Sequence, residues 1–119
     1  MTDDLPTLDL AALDQLLEMT GGDPAFVEEL VDTFLADAAT QLAELSGAAA
    51  AASAEGLLRP AHSLKSNSAS VGARRLSELA RSLESDARNG LVPDASTRVA
   101  EAAAELERVR AALDARPRR

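Results

Sequence analysis

The chain of 119 residues contains no cysteine, no tryptophan and no tyrosine, and only one histidine and one lysine. Without cysteine there is no disulfide framework and no thiolate-ligated zinc or iron–sulfur centre, and one histidine cannot supply an imidazole-rich metal site. Aromatic residues are limited to Phe26 and Phe34, so the core must be aliphatic. No apolar run approaches the roughly 18 residues of a membrane span, and Met1-Thr2-Asp3-Asp4 lacks the basic-then-apolar design of a signal peptide. A cytoplasmic location is the default expectation. Twelve basic residues against 20 acidic ones give a formal charge of −8, which opposes the phosphate attraction on which non-specific nucleic-acid binding rests. The tail Arg116-Pro117-Arg118-Arg119 is read as a solvated end.

What remains is rich in alanine and leucine, and its periodicity is helical throughout. Asp9 is positioned to cap a first helix to about Thr20 carrying Leu10, Leu13, Leu16 and Leu17, and Gly21-Gly22 stops it. Asp23 and Pro24 open a long second helix whose stripe of Phe26, Val27, Leu30, Val31, Phe34, Leu35, Ala38, Leu42 and Leu45 runs through Gly47 to about Ala51. Ser53 caps a third helix reaching about Ser70, with Pro60 expected to kink it or loosen its first turn. A fourth helix from Arg74 to Arg88 turns Leu76, Leu79, Ala80 and Leu83 inward. Pro93-Asp94 opens a fifth to about Ala115 on Val99, Ala102, Ala103, Leu106, Val109, Ala112 and Leu113. The expected fold is all-α: an antiparallel up-down-up-down four-helix bundle with the short N-terminal helix as a lid across one end. Residues 1–119 read as one domain, structured over about 8–115, with tails at 1–7 and 116–119.

At ~100° per residue, Leu57, Ala61, Leu64, Ser68 and Val71 define the core face of the third helix. His62 falls off that face, beside Leu58, Lys65, Ser66 and Ala69 on the wheel, and so stands on the flank of the bundle in reach of water and of a partner. A lone surface histidine is ordinarily without function. Here, however, the chain uses eleven arginines and one lysine, and that lysine lies three residues after the histidine. An ammonium follows a small anion as a compact point charge, which the planar guanidinium does not. The pairing points to an anion forming on or beside His62.

The string Ala61-His62-Ser63-Leu64-Lys65-Ser66-Asn67-Ser68-Ala69-Ser70-Val71-Gly72-Ala73, continued by Leu76, Leu79 and Leu83-Glu84, resembles the histidine phosphotransfer (HPt) domain of bacterial multistep phosphorelays. That family's motif has alanine before the histidine, leucine and lysine two and three positions after it, and glycine ten positions on. Gly21-Gly22-Asp23 with Phe26, Leu30, Phe34 and Leu35 is similar to the family's second helix, extending the resemblance from about Leu8 to Leu113. Ser66 departs from the glycine many members have there, and Pro60 is not the commonest residue at its place.

The resemblance implies that His62 accepts a phosphoryl group from the aspartyl phosphate of a receiver domain and passes it to another receiver. It implies charge stabilisation by Lys65 and docking over Leu58, Ser66 and Ala69. The chain would then be a carrier rather than an enzyme, with no cofactor or metal of its own and magnesium only on the receiver. Its partners would be response-regulator receivers and a hybrid sensor histidine kinase, and the carrier itself a monomer. Neutral imidazole offers a nucleophilic lone pair without a neighbouring base. There is no glycine-rich phosphate loop for a nucleotide. Two other readings are an adaptor that docks on a receiver or kinase without carrying phosphate, and a hydrolase with His62 as general base. The hydrolase lacks the partner triad or metal cluster it needs.

Overall fold

The computed structural model describes residues 5–117. Within them the chain forms five helices: α1 (Leu10–Met19), α2 (Pro24–Ala50), α3 (Ala54–Ser70), α4 (Arg74–Arg88) and α5 (Ala95–Ala115). Each of the first three begins at a side-chain cap that satisfies an otherwise orphaned N–H. Asp9 accepts from Ala11 at 3.1 Å, Asp23 from Ala25 at 3.0 Å, and Ser53 from Gly56 at 2.9 Å. Asp94 precedes α5 in the left-handed region at φ 54° and makes no side-chain cap.

Helix α2 continues through Gly47, as the following alanines favour. Helix α3 stays helical from Ala54 to Ser70 across Pro60, whose ring is buried. Its first turn, expected to loosen, is held by the Ser53–Gly56 hydrogen bond.

Helices α2 and α3, α3 and α4, α4 and α5, and α5 and α2 pack in pairs, closing a four-helix ring, while α1 lies against α2. The short connections between consecutive helices make neighbours antiparallel. Leu45, Leu57, Leu64, Leu76, Leu83 and Leu113 are each less than 2 % exposed at the centre of the ring, and each contributes on the order of 1.5–3 kcal/mol by leaving water. Arg98 pins α5 to α4 through Asp86 at 2.8 Å and Ser82 at 2.9 Å.

The expected stripes differ from the observed core at named positions. Phe26 and Leu10 are 44 % and 43 % exposed, each in the first turn of its helix and outside the buried set that Leu13 and Val27 begin. Ala103 faces solvent, and the α5 stripe instead includes the fully buried Glu105. This carboxylate is retained in the core by Arg108 at 2.7 Å and by Arg75, reaching across from α4 at 3.6 Å.

The segment preceding α1 is docked rather than free. Asp9 N–H donates to Gly72 O at 2.7 Å and Arg75 N–H to Pro6 O at 3.1 Å, which lays the chain across the α3–α4 turn. Arg116, read from the sequence as part of a solvated tail, has a side chain only 6 % exposed and pairs with Glu28 on α2. Residues 1–4 and 118–119 of the expected tails lie outside the described residues.

Two glycines carry opposite requirements. Gly72 has φ +84°, and a Cβ there would stand 2.3 Å from the Asp9 carbonyl oxygen, whereas a Cβ on the helical Gly47 would meet nothing within 4 Å. Gly72→Ala should therefore destabilise the fold by about 1–3 kcal/mol, and Gly47→Ala should stabilise it by up to about 1 kcal/mol. Urea midpoints of the two variants, moving in opposite directions from the unsubstituted protein, check this pair of outcomes.

Candidate functional site

On α3 the core face of Leu57, Ala61, Leu64 and Ser68 is buried as the wheel places it. The next residue round from Ala61 is therefore turned to the flank, and the His62 side chain is 60 % exposed. Lys65, one turn on, is half-buried with 30 % of its side chain exposed. Ser66 and Ala69 are exposed and Leu58 is half-buried on the same helix. The positions singled out in the sequence thus occupy one accessible strip beside the α3–α4 seam.

The element that organises this strip is Glu84 of α4, a carboxylate with a side chain only 5 % exposed. Its Oε2 lies 2.7 Å from His62 Nδ1, and its Oε1 accepts from Lys65 Nζ at 2.6 Å. Arg88, one turn along α4, donates to Oε2 at 2.8 Å. The Lys65 hydrogen bond is the largest influence holding the Glu84 carboxyl below the usual carboxylate range; burial opposes it, and the His62 hydrogen bond adds to the lowering. Glu84 is consequently ionised at neutral pH and can only accept. Nδ1 is then the donor, and in the neutral ring Nε2, on the far side from the carboxylate contact, is the nitrogen that carries the lone pair.

Ser77 supports the arrangement from below, donating its hydroxyl to the Lys65 carbonyl at 2.9 Å and so fixing α3 against α4 at the lysine. The exposed pair Arg81–Glu78 lies further along the same seam, with Nε donating at 2.6 Å.

Glu84 was not assigned a role from the sequence, although a signal for it exists. It follows Ala80 by four residues and precedes Ala87 by three, so it is an acid set into the buried stripe of α4. A carboxylate at such a position requires partners, and the only lysine and histidine of the chain supply them. No group of three or more His, Asp or Glu able to hold a metal ion occurs among the described residues. None of the described helices is long and apolar enough to cross a membrane.

The family model described as "Hpt domain" matches residues 29–112. Among solved structures, the chain is similar to the crystal structure of histidine-containing phosphotransfer protein B (HptB) from Pseudomonas aeruginosa PAO1. The TM-score is 0.84 at 31 % identity, covering 92 % of each chain. No curated protein matches it by sequence.

The depressed Glu84 pKa fixes a pH dependence. Because the folded value lies below the unfolded one, near 4.5, the stabilisation is fully present above about 4.5 and is lost as pH falls through the folded value. Glu84→Gln should therefore be less stable than the unsubstituted protein at neutral pH, by about 1–3 kcal/mol. That difference should contract as the pH is taken below 4.5. Paired urea titrations across this range measure it, and a gap of constant size would contradict the assignment.

Proposed function

From the premise that this chain belongs to the Hpt family, established by the match over residues 29–112, we propose that His62 is its phosphoacceptor and that it shuttles phosphoryl groups between receiver domains. The observation that carries this reading is the Glu84–His62 hydrogen bond, which leaves Nε2, on the far side of the ring, as the lone-pair donor on an accessible flank. In the forward step the Nε2 lone pair attacks the phosphorus of a receiver's aspartyl phosphate. The N–P bond forms, the acyl-phosphate P–O bond breaks, and the receiver carboxylate leaves with the electron pair. The imidazole keeps its Nδ1 proton and becomes cationic, and the Glu84 carboxylate against Nδ1 offsets that charge. In the return step another receiver's carboxylate attacks phosphorus and Nε2 leaves, restoring the neutral ring.

Lys65 serves the same step from the other side. Its Nζ is held beside the imidazole by Glu84 and remains partly exposed, so it can turn toward phosphoryl oxygens once they arrive. At a solvated site such an interaction is worth on the order of 1 kcal/mol, more when a docked receiver excludes water. Leu58, Ser66 and Ala69 form the surface under the receiver. The small side chains of Ser66 and Ala69 leave room for its active-site loops. Magnesium belongs to the receiver in this scheme, and the carrier acts as a cytoplasmic monomer without a cofactor. The adaptor reading has no use for an oriented histidine with a lysine on the same carboxylate.

His62→Gln should keep the fold and abolish phosphate uptake from a labelled receiver, while Lys65→Ala should slow transfer several-fold and shift the melting temperature by only a few degrees. Label appearing on the His62→Gln protein would exclude this site as the acceptor.

Docking is probed at Ser66, one turn beyond His62. Ser66→Gly should be tolerated in transfer at a folding cost of up to about 1 kcal/mol. Ser66→Gln should cut receiver-dependent transfer far more than labelling by phosphoramidate, a donor too small to need docking. A ratio of the two rates unchanged by Ser66→Gln would move the receiver to another side of the bundle.

A further inference from the structure

The cations of this chain are segregated. Residues 1–58 hold none of the 12 Lys and Arg but 12 of the 20 Asp and Glu, so neither α1 nor α2 carries any positive side chain. Between these two acid-only helices, at the end of the bundle where α5 finishes, lies an apolar groove of about 100 Å³, room for one aliphatic side chain. Leu10, Leu13, Leu17 and Val27 line it, with Asp14 and Glu28 on its rim. Leu10 is 43 % exposed, and the nearby turn of the chain adds Met19 at 82 % and Phe26 at 44 %, an unusual concentration of exposed large apolar side chains for one end of a small bundle.

The groove already shows what chemistry it accepts. Arg116, after α5, lays its guanidinium on Glu28 with its side chain only 6 % exposed, and Pro117 follows it along the wall. A cation paired to the acidic rim, with an apolar neighbour against the leucines, is thus the arrangement adopted in cis.

We propose that this groove is a second docking surface, for an arginine- and leucine-bearing amphipathic segment of a partner protein. Charge favours a cationic occupant: an anionic lipid surface is repelled by the acid-only helices, whereas a cationic polypeptide is drawn to them, and a second copy of this chain, whose cations all lie in residues 59–119, is the alternative that the test separates. A helix that places leucines at i, i+3, i+4 and i+7 would seat one in the cavity and direct its arginines to Asp14 and the neighbouring acids. The groove faces the α1, α2 and α5 side, whereas His62 and Glu84 bridge α3 and α4. A partner seated there leaves the imidazole open, so the carrier can be tethered by one protein while exchanging phosphate with another.

The test uses the full chain and a fluorescein-labelled amphipathic peptide of leucine and arginine, with a control in which glutamate replaces every arginine. The arginine peptide should bind and the glutamate peptide should not. Leu10→Ser and Asp14→Arg, both at exposed positions, should each weaken binding by about tenfold and leave phosphate uptake by His62 unchanged. Arg116→Ala, which removes the cation that pairs with Glu28 in cis, should tighten binding several-fold, a direction that a merely destabilised protein would not follow. Absence of binding, equal binding by all variants, or chemical-shift changes confined to α3 and α4 would overturn the proposal. Dimers forming at this face without any peptide would overturn it in favour of a second copy. The result is independent of the phosphoacceptor assignment, because peptide binding does not use His62 and phosphate uptake does not use Leu10 or Asp14.

Discussion

The arrangement depends on one carboxylate. Glu84 is removed from water on α4 and made tolerable there by His62, Lys65 and Arg88, all of which keep part of their own charge or polarity in solvent. Each partner gains something from the acid in return. The imidazole is fixed in one tautomer, the ammonium is held one turn from it, and the seam between α3 and α4 acquires a polar tie at its rim. A neutral residue at this place would leave the ring free to rotate and either nitrogen free to take the proton, and a more exposed acid would hold it less firmly. The bundle beneath, with leucines from four helices buried at its centre, provides the rigid frame that keeps two residues 22 positions apart in the chain within hydrogen-bonding distance.

Much of this was legible in the sequence because helical periodicity is a strong signal in a chain rich in alanine and leucine, with two aromatic residues and no isoleucine. The caps Asp9, Asp23 and Ser53 mark three helix starts, and the bounds of α4 follow directly from Gly72 and Asn89-Gly90. The flank position of His62 follows from the wheel alone, since its neighbour Ala61 belongs to the apolar face. Periodicity works less well in the first turn of a helix, where an apolar residue beside the stripe can stand exposed, as Leu10 and Phe26 do. It also undervalues buried charge. Glu105 and Glu84 are both in phase with apolar stripes, and each is compensated by an arginine on its own helix together with cations or imidazole brought from another helix, the second of which no local pattern reports.

The contacts made by the chain ends were likewise invisible in local sequence. Pro6 and Asp9 lie across the α3–α4 turn, and Arg116 ties the end of α5 to Glu28 on α2. The first pair anchors the segment that leads into α1. Gly72 serves this closure as well as the turn itself, because the backbone of the N-terminal segment passes where any side chain would stand. The glycine of the sequence motif is therefore a packing requirement at a crossing of two backbone segments.

On the proposed function, Glu84 dictates which ring nitrogen reacts. The protein has a single histidine, so ¹⁵N NMR of histidine-labelled protein after phosphorylation reports on His62 without ambiguity. Phosphorus coupling should appear at Nε2, with Nδ1 still protonated against the carboxylate. A phosphoryl group found on Nδ1 would contradict it, since that nitrogen could react only after leaving Glu84.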